Sequence, residues 1–293
     1  MVRTLIIHWG SLLGLVLGTA AGGFAQDTIF LYGDTIRVGE LEWDMEKDWR
    51  ARGELLSKNT ELYGEHVRIY LAYHPNKMTE QIVFGYRDSL GDFVAHGPAR
   101  YFYPSGQLLG KRYFVKGVME GSAEDYYKNT RLKVRSHFRR DTLDGFYESF
   151  YENGSREQRA FYRMGRPEGS YYAWFANGQR KWIEWYHQGR KNGADSSYYE
   201  NGRLQSVYHY REDARHGLAE HFHRNGRPWT GRVYEEDLLL EIRYLKNKDG
   251  RPLEVGTFTE GNGWLNVYNG DGILVERVKY RRGRLRKTKS VKR

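Results

Sequence analysis

Apolar and polar residues alternate through most of this chain in short runs, and glycine or asparagine breaks the runs at regular intervals. Segments such as 169–174 and 204–210 carry Tyr, Trp, Val and Leu at near two-residue spacing. They are too short for helices and have the composition of half-buried strands. The breaks are periodic. Steps of 24 residues from Gly97 reach Gly121, Gly145, Gly169, Gly193, Gly217 and Glu241, with Gly263 arriving two residues early. Nine residues beyond each start stand Gly106, Thr130, Gly154, Gly178, Gly202, Gly226, Gly250 and Gly272. Asn or Asp precedes most of them, as in Asn153, Asn177, Asn201 and Asn225. Asn-Gly tolerates positive φ at both positions, so each pair predicts a two-residue type I′ hairpin turn, and these glycines are structural turn residues.

A second beat lies further along each unit. Seventeen residues after each start come Phe114, Phe138, Tyr162, Tyr186, Tyr210, Tyr234, Phe258 and Tyr280. Three residues later come Gly117, Asp141, Gly165, Gly189, Asp213, Asp237, Gly261 and Gly283, which read as the opposite turn. Two turns per 24 residues predict two strands per unit. An aromatic pair precedes the Asn-Gly turn, as in Trp174-Phe175 and Tyr198-Tyr199. With a two-residue turn, the second aromatic of the pair shares a face with the position-seventeen aromatic. That aromatic lies across from the starting glycine and is expected to cover it. A three-residue turn with a bulge would shift this register by one.

The motif Tyr162-x-x-Gly165-x-x-x-Gly169, followed by Trp174-Phe175-x-Asn177-Gly178, resembles the MORN repeat, and within it the bacterial variant of YwqK-type antitoxin proteins. The next unit repeats the spacing from Tyr186 to Gly202. The resemblance spans 97–283, extending to 64. It implies an all-β, elongated single-layer antiparallel sheet of stacked hairpins. It also implies protein contact, membrane-proximal scaffolding or neutralisation of a toxin, and it supplies no catalytic residues.

The ends differ from the array. Arg3, the apolar run Leu5 to Ala21 and Gly23-Phe24-Ala25 read as a secretory signal over 1–25, with Gln26 as the mature start. Residues 26–63, with Trp43 and Trp49, miss the beat and read as an N-terminal cap on a repeat array 64–283. Residues 284–293 form a basic C-terminal tail. The net charge of +10 changes meaning once placed: 281–293 hold eight Lys and Arg and no acid. Without these and Arg3 the body is nearly neutral. No nucleic-acid partner is expected; the tail reads as a solvated end that meets an anionic membrane surface or acidic glycan. The chain has no cysteine, so neither a disulfide framework nor a lipid-modified cysteine is available.

No phosphate loop, dinucleotide fingerprint or nucleophile motif occurs, and no cofactor is expected. His209, His216, His221 and His223 cluster in sequence and invite a zinc reading, but His223 occupies an aromatic slot of the repeat, so packing is the simpler account and no metal is expected. Glu235, Glu236 and Asp237 read as a solvated turn. The first aromatics of the pairs, Phe102, Tyr126, Phe150, Trp174, Tyr198 and Phe222, form a candidate binding row. The resulting expectation is a non-enzymatic exported binding or scaffold protein whose first partner is a protein. An antitoxin-like role and a glycan-acting enzyme are the alternatives. N-terminal sequencing of the exported form is expected to start near Gln26; a chain beginning at Met1 and held in the inner membrane would reverse the export reading.

Overall fold

The computed structural model describes residues 27–31, 34–38, 41–42, 53–57, 61–62, 65–66, 68–75 and 79–291. The signal reading at 1–25 lies outside the described residues, as do Trp43 and Trp49 of the proposed cap. Every regular element among the described residues is a β-strand. The fold is all-β, built of consecutive antiparallel hairpins in an open sheet rather than a barrel. The chain divides into two compact units, 1–132 with 138–142, and 133–137 with 143–293.

The second unit shows the repeat most clearly. Gly169–Trp174 pairs with Arg180–His187, with Gly169 opposite Tyr186 and Ala173 opposite Trp182. Arg180–His187 then turns back through Gln188 and Gly189 into Arg190–Lys191 and pairs further on with Gly193–Tyr198. The same order recurs in the first unit, where Arg68–Tyr73, Thr79–Arg87, Phe93–Phe102, Leu108–Val115 and Gly121–Tyr126 pair in succession.

The Asn-Gly turn is not of the type expected of it. At Asn177-Gly178 only the glycine has positive φ, at 83°. Gly178 N–H donates to Phe175 O at 2.9 Å and Phe175 N–H to Gln179 O at 2.8 Å. This is a type I turn closed by a left-handed glycine, a three-residue loop and not type I′. The asparagine side chain explains the choice. Asn177 Oδ1 accepts the N–H of Gln179 at 2.9 Å while its Nδ2 donates to Glu200 O in the next hairpin at 3.1 Å. Asn153, Asn201 and Asn225 donate in the same way to Ala176, Arg224 and Lys248 carbonyls. The type I′ turns lie at the other end, where both residues have positive φ: Met164-Gly165, Gln188-Gly189, Glu212-Asp213 and Glu236-Asp237. Where aspartate replaces glycine there, its carboxylate accepts a backbone N–H of the preceding turn, as Asp213 does from Lys191 at 2.8 Å.

The three-residue loop moves the pairing by one at Trp174↔Arg180, and a bulge beside Ala173 restores it. Gly169 therefore still faces Tyr186, and the expected sharing of a face survives through two compensating shifts. The expected covering of that glycine does not. A Cβ on Gly169 or Gly217 would meet nothing within 4 Å. These positions need glycine for their φ of 74° and 83°. They sit where one strand advances faster than its partner: around Gly169, between Tyr162↔Pro167 and Arg159↔Tyr172, three residues on one side match five on the other. An aromatic does cover a glycine at Gly231, where a Cβ would fall 2.5 Å from the Tyr244 ring.

At three of the loops the second aromatic of the pair is a tyrosine that ties one hairpin to the next. Tyr103, Tyr151 and Tyr199 hydroxyls donate to the carbonyls of Tyr126, Trp174 and Phe222 at 2.7–2.8 Å. His223 keeps this bond, to Lys246 O at 3.0 Å, and stacks on Trp229. His74 makes the equivalent bond to Phe102 O across 28 residues instead of 23, so the 64–96 hairpin loses the beat through a longer strand pair. At the C-terminal end Ala219, Tyr234, Leu239, Phe258 and Leu265 form a buried cluster. The unit starting at Glu241 lacks its return strand, and residues 251–262 carry only isolated bridges. The tail is not a disordered end: Arg284–Ser290 is a strand paired with Leu274–Arg281.

Tyr199→Phe is expected to lower stability by about 1 kcal/mol, because the carbonyl of Phe222 loses its donor. Phe175→Tyr, which supplies the missing hydroxyl in the same slot, is expected to raise stability by a similar amount. Urea midpoints of the two variants check both signs.

Candidate functional site

Strand alternation gives the second unit two faces of different chemistry. One carries the starting glycines and the position-seventeen aromatics. Its central register line runs Ser149, Gln158, Ala173, Trp182, Ser197, Ser206, His221 and Thr230. Most of these are small, and Ala173, Ser149 and Ser206 are buried beneath flanking tyrosines. Polar groups here satisfy one another. Lys191 Nζ bonds Glu184 Oε1 at 2.6 Å and Asp195 Oδ2 at 2.7 Å, and Tyr186 OH donates to Glu184 at 2.9 Å. Burial works against the Lys191 charge, yet the bonds to Asp195 and Glu184 push its pKa up and hold it protonated. Burial pushes the more deeply buried Asp195 carboxyl up despite that partner. Burial likewise pushes the Tyr171 phenol up to about 12, and Tyr186 rises as well. Lys191, Tyr171 and Tyr186 hold their protons tightly.

The four histidines turn to four separate partners. His221 Nε2 is 2.8 Å from the Tyr208 hydroxyl in an edge-on ring contact. His209 bonds Leu218 O and His216 accepts from Arg211, while His223 fills its repeat slot. Burial, with the nearby Arg232 charge, pulls His221 down to about 4. In the acidic turn Asp237 accepts from Arg215 Nε at 2.7 Å, which holds its carboxyl below the ordinary range. Thr230 Oγ1 and Arg232 Nε are buried without a hydrogen-bond partner. Spacing gave no sign of these two, because each lies on a strand whose repeat position varies freely.

The other face carries the candidate row. Its central line runs Glu148, Arg159, Tyr172, Ile183, Ser196, Val207, Glu220 and Gly231. Phe150, Trp174, Tyr198 and Phe222 stand two residues from it, each half-buried. On its other side Phe146, Trp185 and Leu218 are 55%, 44% and 39% exposed, which leaves this face open along its length. Arg156 lies over the Trp174 ring at 5.4 Å and Arg159 over Phe146 at 5.3 Å. Sequence spacing singled out one aromatic column; Phe146, Phe161 and Trp185, which flank the central line opposite it, were missed, Phe146 because it follows no beat and Phe161 and Trp185 although they share one repeat position with Tyr113, His137 and His209. In the first unit Tyr126 is half-buried under Lys111, whereas Phe102, 3% exposed, belongs to the core and offers no contact surface. That unit also has an open cleft of about 560 Å³ lined by Tyr70, Val83, Phe93 and Lys116, among others.

Residues 95–116 match the family model for the MORN repeat variant. The match supports a MORN-repeat family. It covers the hairpin that starts the regular array, and the MORN-type spacing recurs in the hairpins of the second unit. No curated protein matches the chain. Repeats of this kind suggest a repeat-based binding or scaffold protein. Among the described residues no helix is long and apolar enough to cross a membrane.

His221 gives this unit an acid-sensitive point. Its folded pKa lies below the ordinary value, so the unfolded chain takes up the proton first as pH falls. The His221 contribution is therefore present above about pH 6.5 and is lost as pH falls toward about 4. Urea midpoints are expected to fall less between about pH 7.5 and pH 5 in His221→Gln than in the parent chain. Equal falls would mean that folding does not lower the pKa of His221.

Proposed function

We propose that this chain is a non-enzymatic binding or scaffold protein, exported to the bacterial envelope, that holds a protein partner on the open aromatic face of its second unit. The observation that carries the reading is the exposure of Phe146, Trp185 and Leu218 beside half-buried Trp174 and Tyr198, on a face whose aromatics carry arginines. Aromatic side chains with arginine neighbours are the usual energetic centres of protein contacts. The leader-like start supports export. Resemblance to YwqK-type repeats supports a protein partner, since that group neutralises one.

Row chemistry argues against glycan cleavage. The carboxylates on the central line, Glu148 and Glu220, are six strands apart, or about 29 Å at the usual strand spacing. Glycosidase carboxylates stand within about 10 Å of each other. The acids of the opposite face, Glu184 and Asp195, are both bonded to Lys191.

The test compares the parent chain with Phe146→Ser/Trp185→Ser in pull-downs from envelope extract. Both residues are exposed, so the variant is expected to melt with the parent. A partner captured by the parent and lost from the variant is the expected result. Identical capture by both chains would move the binding surface elsewhere.

A further inference from the structure

Around Lys191 the polar groups of the glycine-bearing face satisfy one another; at the C-terminal end of that face they do not. Thr230 and Arg232 stand two residues apart on Pro228–Glu235 and so share the face. Thr230 is 2% exposed and Arg232 is half-buried. The hydroxyl of the first and Nε of the second are the orphaned buried atoms of this strand. Such atoms are rare, because each has given up its bonds to water. Arg232 forms no ion pair among the described residues. Ala219 and Ile242 lie directly opposite it, and Tyr208, Tyr234 and Tyr280 pack with these two in one cluster. Burial and the Arg232 charge act together on His221 beside it. The other cation near these rings, Arg215, is bonded to Asp237.

The repeat itself shows which partner this position takes. Arg112 stands 15 residues after Gly97, as Arg232 stands 15 after Gly217. Arg112 Nη2 donates to Asp125 Oδ1 at 2.6 Å, and its Nη1 donates to Glu124 O at 2.9 Å. Asp125 lies opposite Gly110; the corresponding residue, opposite Thr230, is Leu245. This unit has the arginine of the pair and, in place of the acid, a leucine.

We propose that Arg232, with Thr230 beside it, binds a carboxylate from outside the chain, supplied by a small organic acid or by an aspartate or glutamate of a partner. A guanidinium presents its N–H groups as a planar fork that a carboxylate matches. One free guanidinium neutralises one carboxylate, whereas a phosphate dianion would be left half-neutralised among phenol rings. Those rings limit water around the pair, which strengthens it. The site lies on the face opposite the aromatic row, and the proposal does not rest on the function given to that row.

The test follows the arginine Nε–H signals of the full chain by NMR at about pH 6.5, where carboxylic acids are ionised, while sodium acetate replaces sodium chloride at constant ionic strength. The Arg232 signal is expected to shift saturably and that of Arg215, already paired, to stay. Melting temperature is expected to rise with acetate in the parent chain and not in Arg232→Met. No shift at Arg232, or an acetate response that survives Arg232→Met, would overturn the proposal. So would a response to phosphate without one to acetate. Leu245→Asp and Leu245→Asn test the same place from within the chain, since they differ in charge alone. Leu245→Asp is expected to melt above Leu245→Asn and to lose the acetate response, and the difference is expected to vanish once Arg232→Met is added. Equal melting of the two with Arg232 present would show that no carboxylate fits and would overturn the site. A blocked peptide, acetyl-Gly-Asp-Gly-amide, separates the sources. Tighter binding than acetate assigns the site to a partner's side chain and weaker binding assigns it to a free small acid; both support it.

Discussion

At one loop after another a side chain reaches over to a main-chain carbonyl of the next hairpin, and the array depends on this bond. A two-stranded hairpin is marginal by itself in water, so each unit needs its neighbour to become ordered. Tyr103, Tyr151 and Tyr199 provide the link with a hydroxyl and His223 with an imidazole nitrogen. Asn153, Asn177, Asn201 and Asn225 add a second one from the loop itself. Single bonds of this kind contribute about 1 kcal/mol net, but they recur from one hairpin to the next through the loops at 151, 175, 199 and 223. They also explain why so many loops carry asparagine when only the following glycine has left-handed geometry.

Much of this was legible because the repeat supplies its own controls. The period, the two turns per unit and the packing role of His223 all follow from comparing equivalent positions within one chain. The type of each turn was not legible. Asn-Gly fits both a two-residue and a three-residue loop, and the choice is made by a carbonyl 23 residues away, beyond any local pattern. The starting glycine was assigned to an aromatic contact when its backbone angle is the cause. The C-terminal segment was misjudged because charge was counted and alternation was not. Leu285 and Thr288 fall opposite Tyr280 and Val278, which marks a strand most of whose other residues happen to be basic. The candidate row was legible as a column, but its exposure was not: Phe102 is core while Phe146, off the beat, is open.

The two faces of the second unit divide the work of folding and contact. On the glycine-bearing face Lys191, Glu184, Asp195 and Tyr186 consume each other's hydrogen-bonding capacity, and tyrosines close over a line of small residues. Such a surface is stable and has little left to offer a partner. The opposite face holds its aromatics with cations and leaves them partly in water. A single-layer sheet that buries one side through its own side chains leaves the other for recognition, and different hairpins can vary that side without disturbing the links between units.

The loop and its bulge have an evolutionary consequence of their own. Each three-residue loop displaces the pairing by one, and each bulge beside residues such as Ala173 or Ser197 returns it. Loss of a residue from either one alone would invert the parity of the strand that follows. Tyrosines that now sit over small residues would swing to the opposite side, and the solvent-facing aromatics would turn inward. Loop and bulge are thus bound like the two halves of a compensated frameshift: the sequence can drift at both places, but it can change length only at both together.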